Sequence, residues 1–314
     1  MANASDPILV QWILDTRDLW PGATKTAQLE TLASRALSLL TREEKTNVLK
    51  YYHVRDAKMA LGSALLKHFV ISKYCNVAWW DTKMTRDEKT KPIYRDPDTG
   101  TCPISFNVSH QAGLVALIAA HGYDGPVDVG VDVVCVSERR DRDHKMIKDE
   151  GWPSFVDMHA DVFAPSEAKY LKYQILSAVP GLPRGASPED IVDFKLRCFY
   201  ALWCLREAYV KMTGEALLAE WLGVLEFRNF VPPIAAASFA GTDEVAEQVV
   251  TDHQIWFRGQ KVEDAKVCLR ALGPDYMTCT AVRAQGNAAN ELGSASGPFT
   301  MIDINQILEY AEKQ

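Results

Sequence analysis

The chain has 314 residues, of which 47% are apolar, and a formal net charge of −7. That length suits roughly two domains of about 150 residues with a real core, and the negative balance excludes a bulk nucleic-acid binder, so any polyanion must be held by local cations. No apolar stretch approaches the roughly 20 residues of a membrane span, and no signal peptide is expected, because Met1 to Val10 lacks a basic region followed by an apolar block.

The seven cysteines are scattered, without a Cys-x-x-Cys pair, which suggests neither a zinc site nor a disulfide framework. A cytoplasmic protein with reduced thiols is expected. Ile8 to Leu14 reads as a strand. Thr41-Arg42-Glu43-Glu44 has capping-box form and opens a helix. Arg55 to Tyr74 continues helically, with Met59, Leu65, Leu66, Phe69 and Val70 available for a buried face. Lys83 to Gly100 is charged and turn-rich. Pro103 to Val108, Leu114 to His121 and Pro126 to Val134 are strand candidates, so the first half reads as helices followed by a small antiparallel sheet.

Ser137 to Glu150 is a mixed-charge stretch, a solvated loop or an exposed helix. Pro165 to Val179 is helical, and Pro180 to Pro188 breaks the chain. Ile191 to Thr213 is a long helix that Gly214 can cap. Strand candidates recur at Val224 to Phe227, Gln254 to Arg258, Lys266 to Leu272 and Tyr276 to Arg283. Pro232 to Thr242 reads as a loop insertion, Gly286 to Pro298 as a flexible linker and Ile302 to Lys313 as an amphipathic helix. The expected class is α+β, with an N-terminal subdomain over 1–125, a C-terminal subdomain over 126–285, a linker over 286–300 and a C-terminal helix over 301–314.

Two motifs about seventy residues apart carry the chemistry. Asp132 interrupts the β-branched run Val127, Val129, Val131, Val133, Val134. An ionised carboxylate in a buried strand needs a cation or strong donors, unless it merely ends an edge strand. Gly130 just before it lets backbone or ligand approach closely. Trp203, Glu207 and Lys211 recur at i+4 and share one helix face. A Glu–Lys pair alone is a surface decoration worth about 0.2–0.5 kcal/mol; the tryptophan on the same face argues for partial burial. Two acids and a lysine can hold a hard divalent ion against a phosphate.

Weaker signals surround these. Phe106-Asn107-Val108-Ser109-His110 ends a strand and offers amide, hydroxyl and imidazole groups to a phosphate, or forms an ordinary turn. Lys89, Lys91 and Pro92 are either solvated charge or an anion clamp, and so are the helical cations Lys45, Lys50, Arg55 and Lys58. Glu167 opens a helix, where an acid meets the helix dipole. The residues alone reach an enzyme that handles Mg2+ and phosphate.

Taken in order, Phe106-Asn107-Val108-Ser109-His110, Gly130-Val131-Asp132 and Trp203-x-x-Arg206-Glu207-Ala208-x-x-Lys211 resemble the blocks of the Sfp-type 4'-phosphopantetheinyl transferases, fungal members especially. The likeness runs from about Thr41 to Gly214 and more weakly to about Arg283. It implies two similar α+β subdomains related by a pseudo-twofold, each a small antiparallel sheet packed with helices, with the active site at their interface. It implies transfer of the phosphopantetheine arm of coenzyme A to a serine of acyl or peptidyl carrier domains, in polyketide synthases, non-ribosomal peptide synthetases or aminoadipate reductases, with 3',5'-ADP released.

By the same resemblance Asp132 and Glu207 hold Mg2+ (Mn2+ being the alternative). Glu207, Lys211 and Glu167 are the catalytic candidates. Lys45, Lys89, Lys91, Pro92, Asn107, Ser109, His110 and Lys211 are expected on coenzyme A. The chain departs from the family where Val134 replaces an acid, Arg206 a lysine and Asn47 a basic residue. A monomer that touches neither nucleic acid nor membrane is expected. A Mg2+-dependent pyrophosphohydrolase and a non-catalytic coenzyme A- or carrier-binding module stand as alternatives.

Overall fold

The computed structural model describes residues 7–179, 181–182, 185–215, 219–235, 249–288 and 297–314. Strand β1 (Ile8–Asp15) opens the first half. Short helices α1 (Leu29–Leu32) and α2 (Ser34–Ser38) lead to α3 (Arg42–Leu49) and the long α4 (Val54–Cys75). Strands β2 (Met84–Arg86) and β3 (Pro92–Tyr94) form a small hairpin before the larger one of β4 (Ile104–Gln111) and β5 (Leu114–His121).

The second half runs in the same order. Strand β6 (Val127–Cys135) is followed by α5 (Arg140–Glu150), α6 (Trp152–Asp157), α7 (Pro165–Tyr173), α8 (Ile175–Ala178) and the long α9 (Pro188–Thr213). Strands β7 (Leu225–Arg228), β8 (Val249–Val250), β9 (Gln254–Phe257) and β10 (Gln260–Lys261) precede the hairpin of β11 (Ala265–Leu272) and β12 (Tyr276–Ala284). Strand β13 (Thr300–Met301) and α10 (Ile304–Glu312) close the chain.

Topology makes the two halves alike. In each, the first strand pairs antiparallel with the second strand of the closing hairpin, giving β1-β5-β4 in one sheet and β6-β12-β11 in the other. Ile13 with Leu114, Ala116 and Ile118 on one inner face meets Val127, Val129, Val131 and Val133 on the other. The outer face of the first sheet packs on α4, and that of the second on α9. Residues Leu114 to Ala120 are buried on both faces, which is why β5 reads as an unbroken apolar run.

Three sequence expectations change. The first sheet is not built from the three successive strand candidates: β6 leaves it to pair with β12, and β1 takes the place beside β5. The C-terminal segment is no isolated helix. Strand β13 lies parallel to β1, and α10 buries Ile304, Ile307 and Leu308 in the first core and ties Glu312 to Arg35 at 2.7 Å. Short helices occupy Leu29–Ser38 and Trp152–Asp157, where no periodic signal marked them. The expected insertion and linker fall largely on 236–248 and 289–296, outside the described residues.

Gly130 sets the distance between β6 and α9. A Cβ there would lie 2.1 Å from the Ala208 carbonyl oxygen and 2.4 Å from the Met212 nitrogen. The helix therefore seats on the strand directly above the glycine.

Candidate active site

Alternation along β4 buries Phe106 in the first core and turns Asn107, Ser109 and Gln111 toward β6. Strand β6 pairs with β12 on one edge only. Side chains close the other edge. Asn107 Oδ1 accepts the Val131 N–H at 3.0 Å, Gln111 Oε1 accepts the Cys135 N–H at 3.3 Å, and Lys91 Nζ donates to the Val129 carbonyl at 3.1 Å. An otherwise open strand edge is thereby satisfied and fixed.

Asp132 projects from this held strand toward α9 and is only 5% exposed. Its Oδ1 accepts the Ser109 hydroxyl at 2.8 Å and Lys211 Nζ at 2.6 Å. Lys211 Nζ also donates to Ser109 Oγ at 2.8 Å. Helical spacing stacks Trp203, Glu207 and Lys211 along α9, and all three line one cleft of about 420 Å3 with Ser109, His110 and Asp132. Trp203 packs there against Phe199, Phe163 and His159, which gives the otherwise polar cleft one aromatic side. The two distant acids converge.

Charge in this cleft is strongly coupled. Burial raises the Glu207 carboxyl above its ordinary range; the Lys211 ammonium offsets part of that, and the Asp132 charge adds to it. Burial alone would lower Lys211, but Asp132 and Glu207 outweigh it and leave it raised. Lys211 is therefore a permanent cation at neutral pH. Glu207 makes no hydrogen bond or ion pair among the described residues. A divalent oxygen-seeking ion is satisfied by one or two carboxylates when phosphates and water supply the rest. Asp132 and Glu207 fit that donor set, and the aliphatic Val134 beside them offers no third ligand.

A larger cleft of about 980 Å3 adjoins the first, with His110 in the wall of both. Its floor is opened by the small residues Ala60, Ser63 and Ala64 of α4, and its cations are Arg42, Lys50, Lys67, Lys83 and Arg86. Pro92 and Asn47 also line it. Sequence reasoning passed over Lys67, Lys83 and Arg86. The signal was there in α4, where small residues at 60, 63 and 64 recur into Lys67 and His68 on one face.

Other expected site residues lie elsewhere. Lys45 does not line either cleft. Lys89 Nζ donates to the Thr213 carbonyl at 2.9 Å, at the C-terminal end of α9, where a cation meets the helix dipole. Lys91 is spent on the edge of β6. Glu167 does not line the cleft either. Its Oε1 accepts the Phe227 N–H at 2.7 Å, and its Oε2 accepts the Ala164 N–H at 2.9 Å and Arg206 Nη1 at 2.6 Å. Arg206 is wholly buried and also donates to the Leu225 and Leu222 carbonyls. These two residues tie α7, α9 and β7 together.

Comparison with known proteins covers nearly the whole chain. Residues 27–122 match the model for the N-terminal domain of 4'-phosphopantetheinyl transferases, and residues 128–263 that of the 4'-phosphopantetheinyl transferase superfamily. The chain is 48% identical to 4'-phosphopantetheinyl transferase 1 of Fusarium mangiferae, over 98% of this chain and 97% of that protein. The chain belongs to the 4'-phosphopantetheinyl transferase family. It is also 33% identical to the 4'-phosphopantetheinyl transferase NpgA of Emericella nidulans, over 98% of this chain and 94% of that protein. An L-aminoadipate-semialdehyde dehydrogenase-phosphopantetheinyl transferase of Schizosaccharomyces pombe is 24% identical over 68% of this chain and 71% of its own length. Phosphopantetheinyl transferases take their group from coenzyme A, generally with a divalent metal, and place it on a carrier protein; this chain is an enzyme of that class. No helix among the described residues is long and apolar enough to cross a membrane.

Proposed function

We propose that the two adjoining clefts together hold coenzyme A, its adenylate end in the larger one among Arg42, Lys67 and Arg86, and its pyrophosphate in the smaller one at Asp132, Glu207, Lys211, Ser109 and His110. The observation that carries this is the convergence of Asp132 and Glu207 on one cleft, with Lys211 bonded to Asp132 and Ser109. A bound Mg2+ or Mn2+ at Asp132 and Glu207 supplies neutralisation of the pyrophosphate charge.

The chain's own groups then do three things. Lys211, positive at neutral pH, donates to a phosphate oxygen and stabilises the charge that grows on the departing bridging oxygen. Ser109 and Asp132 fix that ammonium in place. Glu207, which has no other hydrogen-bond partner among the described residues, accepts the proton of the carrier serine as the serine oxygen bonds to the β-phosphorus. The bond from the β-phosphorus to the bridging oxygen breaks, and 3',5'-ADP leaves with the electron pair. Glu167 keeps a structural role in this reading, because both its oxygens are already bonded in the core.

Carriers of the polyketide, non-ribosomal peptide and aminoadipate reductase types are the proposed acceptors. The relatives' names support the last of these, and the fungal likeness supports the others. Arg139 and Arg142 line the mouth of the smaller cleft on the N-terminal end of α5, facing an incoming domain. A monomer in the cytoplasm suffices, since one chain builds the whole site and all seven cysteines are unbridged.

The test is the intact mass of an apo carrier domain incubated with coenzyme A and Mg2+, with and without chelator. The expected result is a gain of one phosphopantetheine group that chelator abolishes. An unmodified carrier accompanied by cleaved coenzyme A would mean a hydrolase instead.

A further inference from the structure

The capping box at Thr41 has a second use. Glu44 Oε2 accepts the Thr41 N–H at 2.9 Å and the Thr41 hydroxyl at 2.7 Å, which closes the first turn of α3. Its other oxygen, Oε1, lies 2.8 Å from Nε2 of His68 in the middle of α4. The opposite ring nitrogen, Nδ1, lies 2.6 Å from Oγ1 of Thr82, which follows the 3-10 turn Trp79–Asp81. Thr41, Glu44, His68, Trp79 and Thr82 are all in the wall of the larger cleft. The reaction described above uses none of them.

Counting protons decides the state of the His68 ring. The Thr82 hydroxyl has a single hydrogen. It also lies 2.5 Å from the Trp79 carbonyl oxygen, which can only accept. The hydroxyl hydrogen therefore goes to Trp79, and Nδ1 must donate to Thr82. On the other side Glu44 is a carboxylate. Burial would raise its pKa, but the bonds from His68 and Thr41 outweigh burial and hold it down to about 2. An ionised carboxylate only accepts, so Nε2 donates as well. A ring that donates from both nitrogens is an imidazolium. Lys67 and Arg86 of the same cleft repel that charge, and the Glu44 carboxylate answers it at contact distance.

His68 is 5% exposed and Thr82 1%. A buried ion pair is a weak source of stability, and its best-attested use is to fix one arrangement among several. Here it fixes three separate pieces of chain. Glu44 brings α3, His68 brings the floor helix α4, and Thr82 brings the segment that runs on into β2. Trp79 supports the third tie, donating Nε1 to the Leu39 carbonyl at 2.8 Å and packing its ring 5.4 Å from the imidazole. Each tie stands beside a cation of the cleft. Arg42 follows Thr41, Lys67 precedes His68 and Lys83 follows Thr82.

We infer that His68, as an imidazolium, is a positioning residue for coenzyme A, fastening three walls of the larger cleft so that the cations beside each tie converge on its adenylate end. This rests on the transferase reading, in which that cleft takes the adenylate end. Three like charges on separate elements repel one another while the cleft is empty. Walls tied together keep them at the spacing the anion needs, so less ordering is required when it binds. His68 acts through Arg42, Lys67 and Lys83 rather than by contact with the ligand.

The experiment is calorimetric binding of 3',5'-ADP, which carries the adenylate end alone, to wild type, His68→Asn and His68→Gln, beside KM and kcat for carrier modification. Asparagine can reach Thr82 but not Glu44; the longer glutamine can place its amide nitrogen on Glu44. For His68→Asn, roughly tenfold weaker binding and an equal rise in the KM for coenzyme A are expected. The kcat and the KM for carrier should stay the same, and His68→Gln should restore most of the affinity. A merely structural role would lower the active fraction, and so kcat, at unchanged KM; that result overturns the proposal. So does wild-type affinity for 3',5'-ADP in a folded His68→Asn. Nitrogen-15 spectra at neutral pH should show two protonated ring nitrogens on His68 in wild type and one in Glu44→Gln; a single one in wild type is contrary. If His68→Asn does not fold, Thr82→Val, which removes the acceptor of the second bond, replaces it, with weaker binding expected and unchanged binding contrary. A wild type that neither binds 3',5'-ADP nor modifies carrier contradicts the transferase reading, whereas equal binding by wild type and variant overturns the role of His68 alone.

Discussion

Glu207 is asked to be a base in a place that resists its ionisation. Its pKa is raised chiefly by burial. A carboxyl raised on folding adds stability that is full below its ordinary value and lost as pH rises through the raised one. In the metal-free protein at pH 7 the ionised side chain therefore costs stability, and the melting comparison is made without metal. Glu207→Gln is expected to melt at the same or a higher temperature while turnover falls roughly 100- to 10,000-fold; calorimetry beside a carrier-modification assay reads both. Both carboxylates were legible in the sequence, because an acid inside a β-branched run and an acid beside a helical tryptophan are physically anomalous. Lys211 was legible by the same helical spacing, but the other basic residues were not. Lys89 and Lys91 end on the carbonyls of Thr213 and Val129, contacts that composition and spacing do not encode.

At the scale of elements, two packing contacts hold the site. Strand β6 and helix α9 touch through Gly130, and any side chain there meets helix backbone. Backbone cannot move aside as a side-chain tip can. Gly130→Ala is expected to lose about 1–3 kcal/mol of stability and to impair transfer, because Asp132 and Lys211 sit on the two elements being pushed apart. A melting curve at wild-type stability would show that the helix has room to shift. The second contact is the Glu167–Arg206 pair. Removing one member of a buried pair leaves the other charge uncompensated, at about 3–5 kcal/mol. Glu167→Gln should thus show its defect in denaturant unfolding. Full stability with lost turnover would instead assign Glu167 to the chemistry. Most helices and strands were readable from periodicity and punctuation, from the capping box at Thr41 to the left-handed cap at Gly214. Which strands pair was not readable. The pairing of β1 with β5 and of β6 with β12 is decided by faces meeting across the whole chain.

At the scale of the molecule, two halves of one topology stack their sheets, and the proposed site lies where the edge of β6 meets β4. Neither half owns it. Ser109 and His110 come from the first, and Asp132, Glu207 and Lys211 from the second. The C-terminal segment adds a strand to the first sheet and a helix to its core, which the sequence presented only as an amphipathic tail. The central claim is that Asp132 and Glu207 work as one unit around a bound diphosphate. A double-mutant cycle on kcat/KM for carrier modification, with Asp132→Asn, Glu207→Gln and the pair, tests it most directly. The expected result is that either single change costs nearly as much as both together. Losses that simply add would contradict it, because they would mean two carboxylates acting independently.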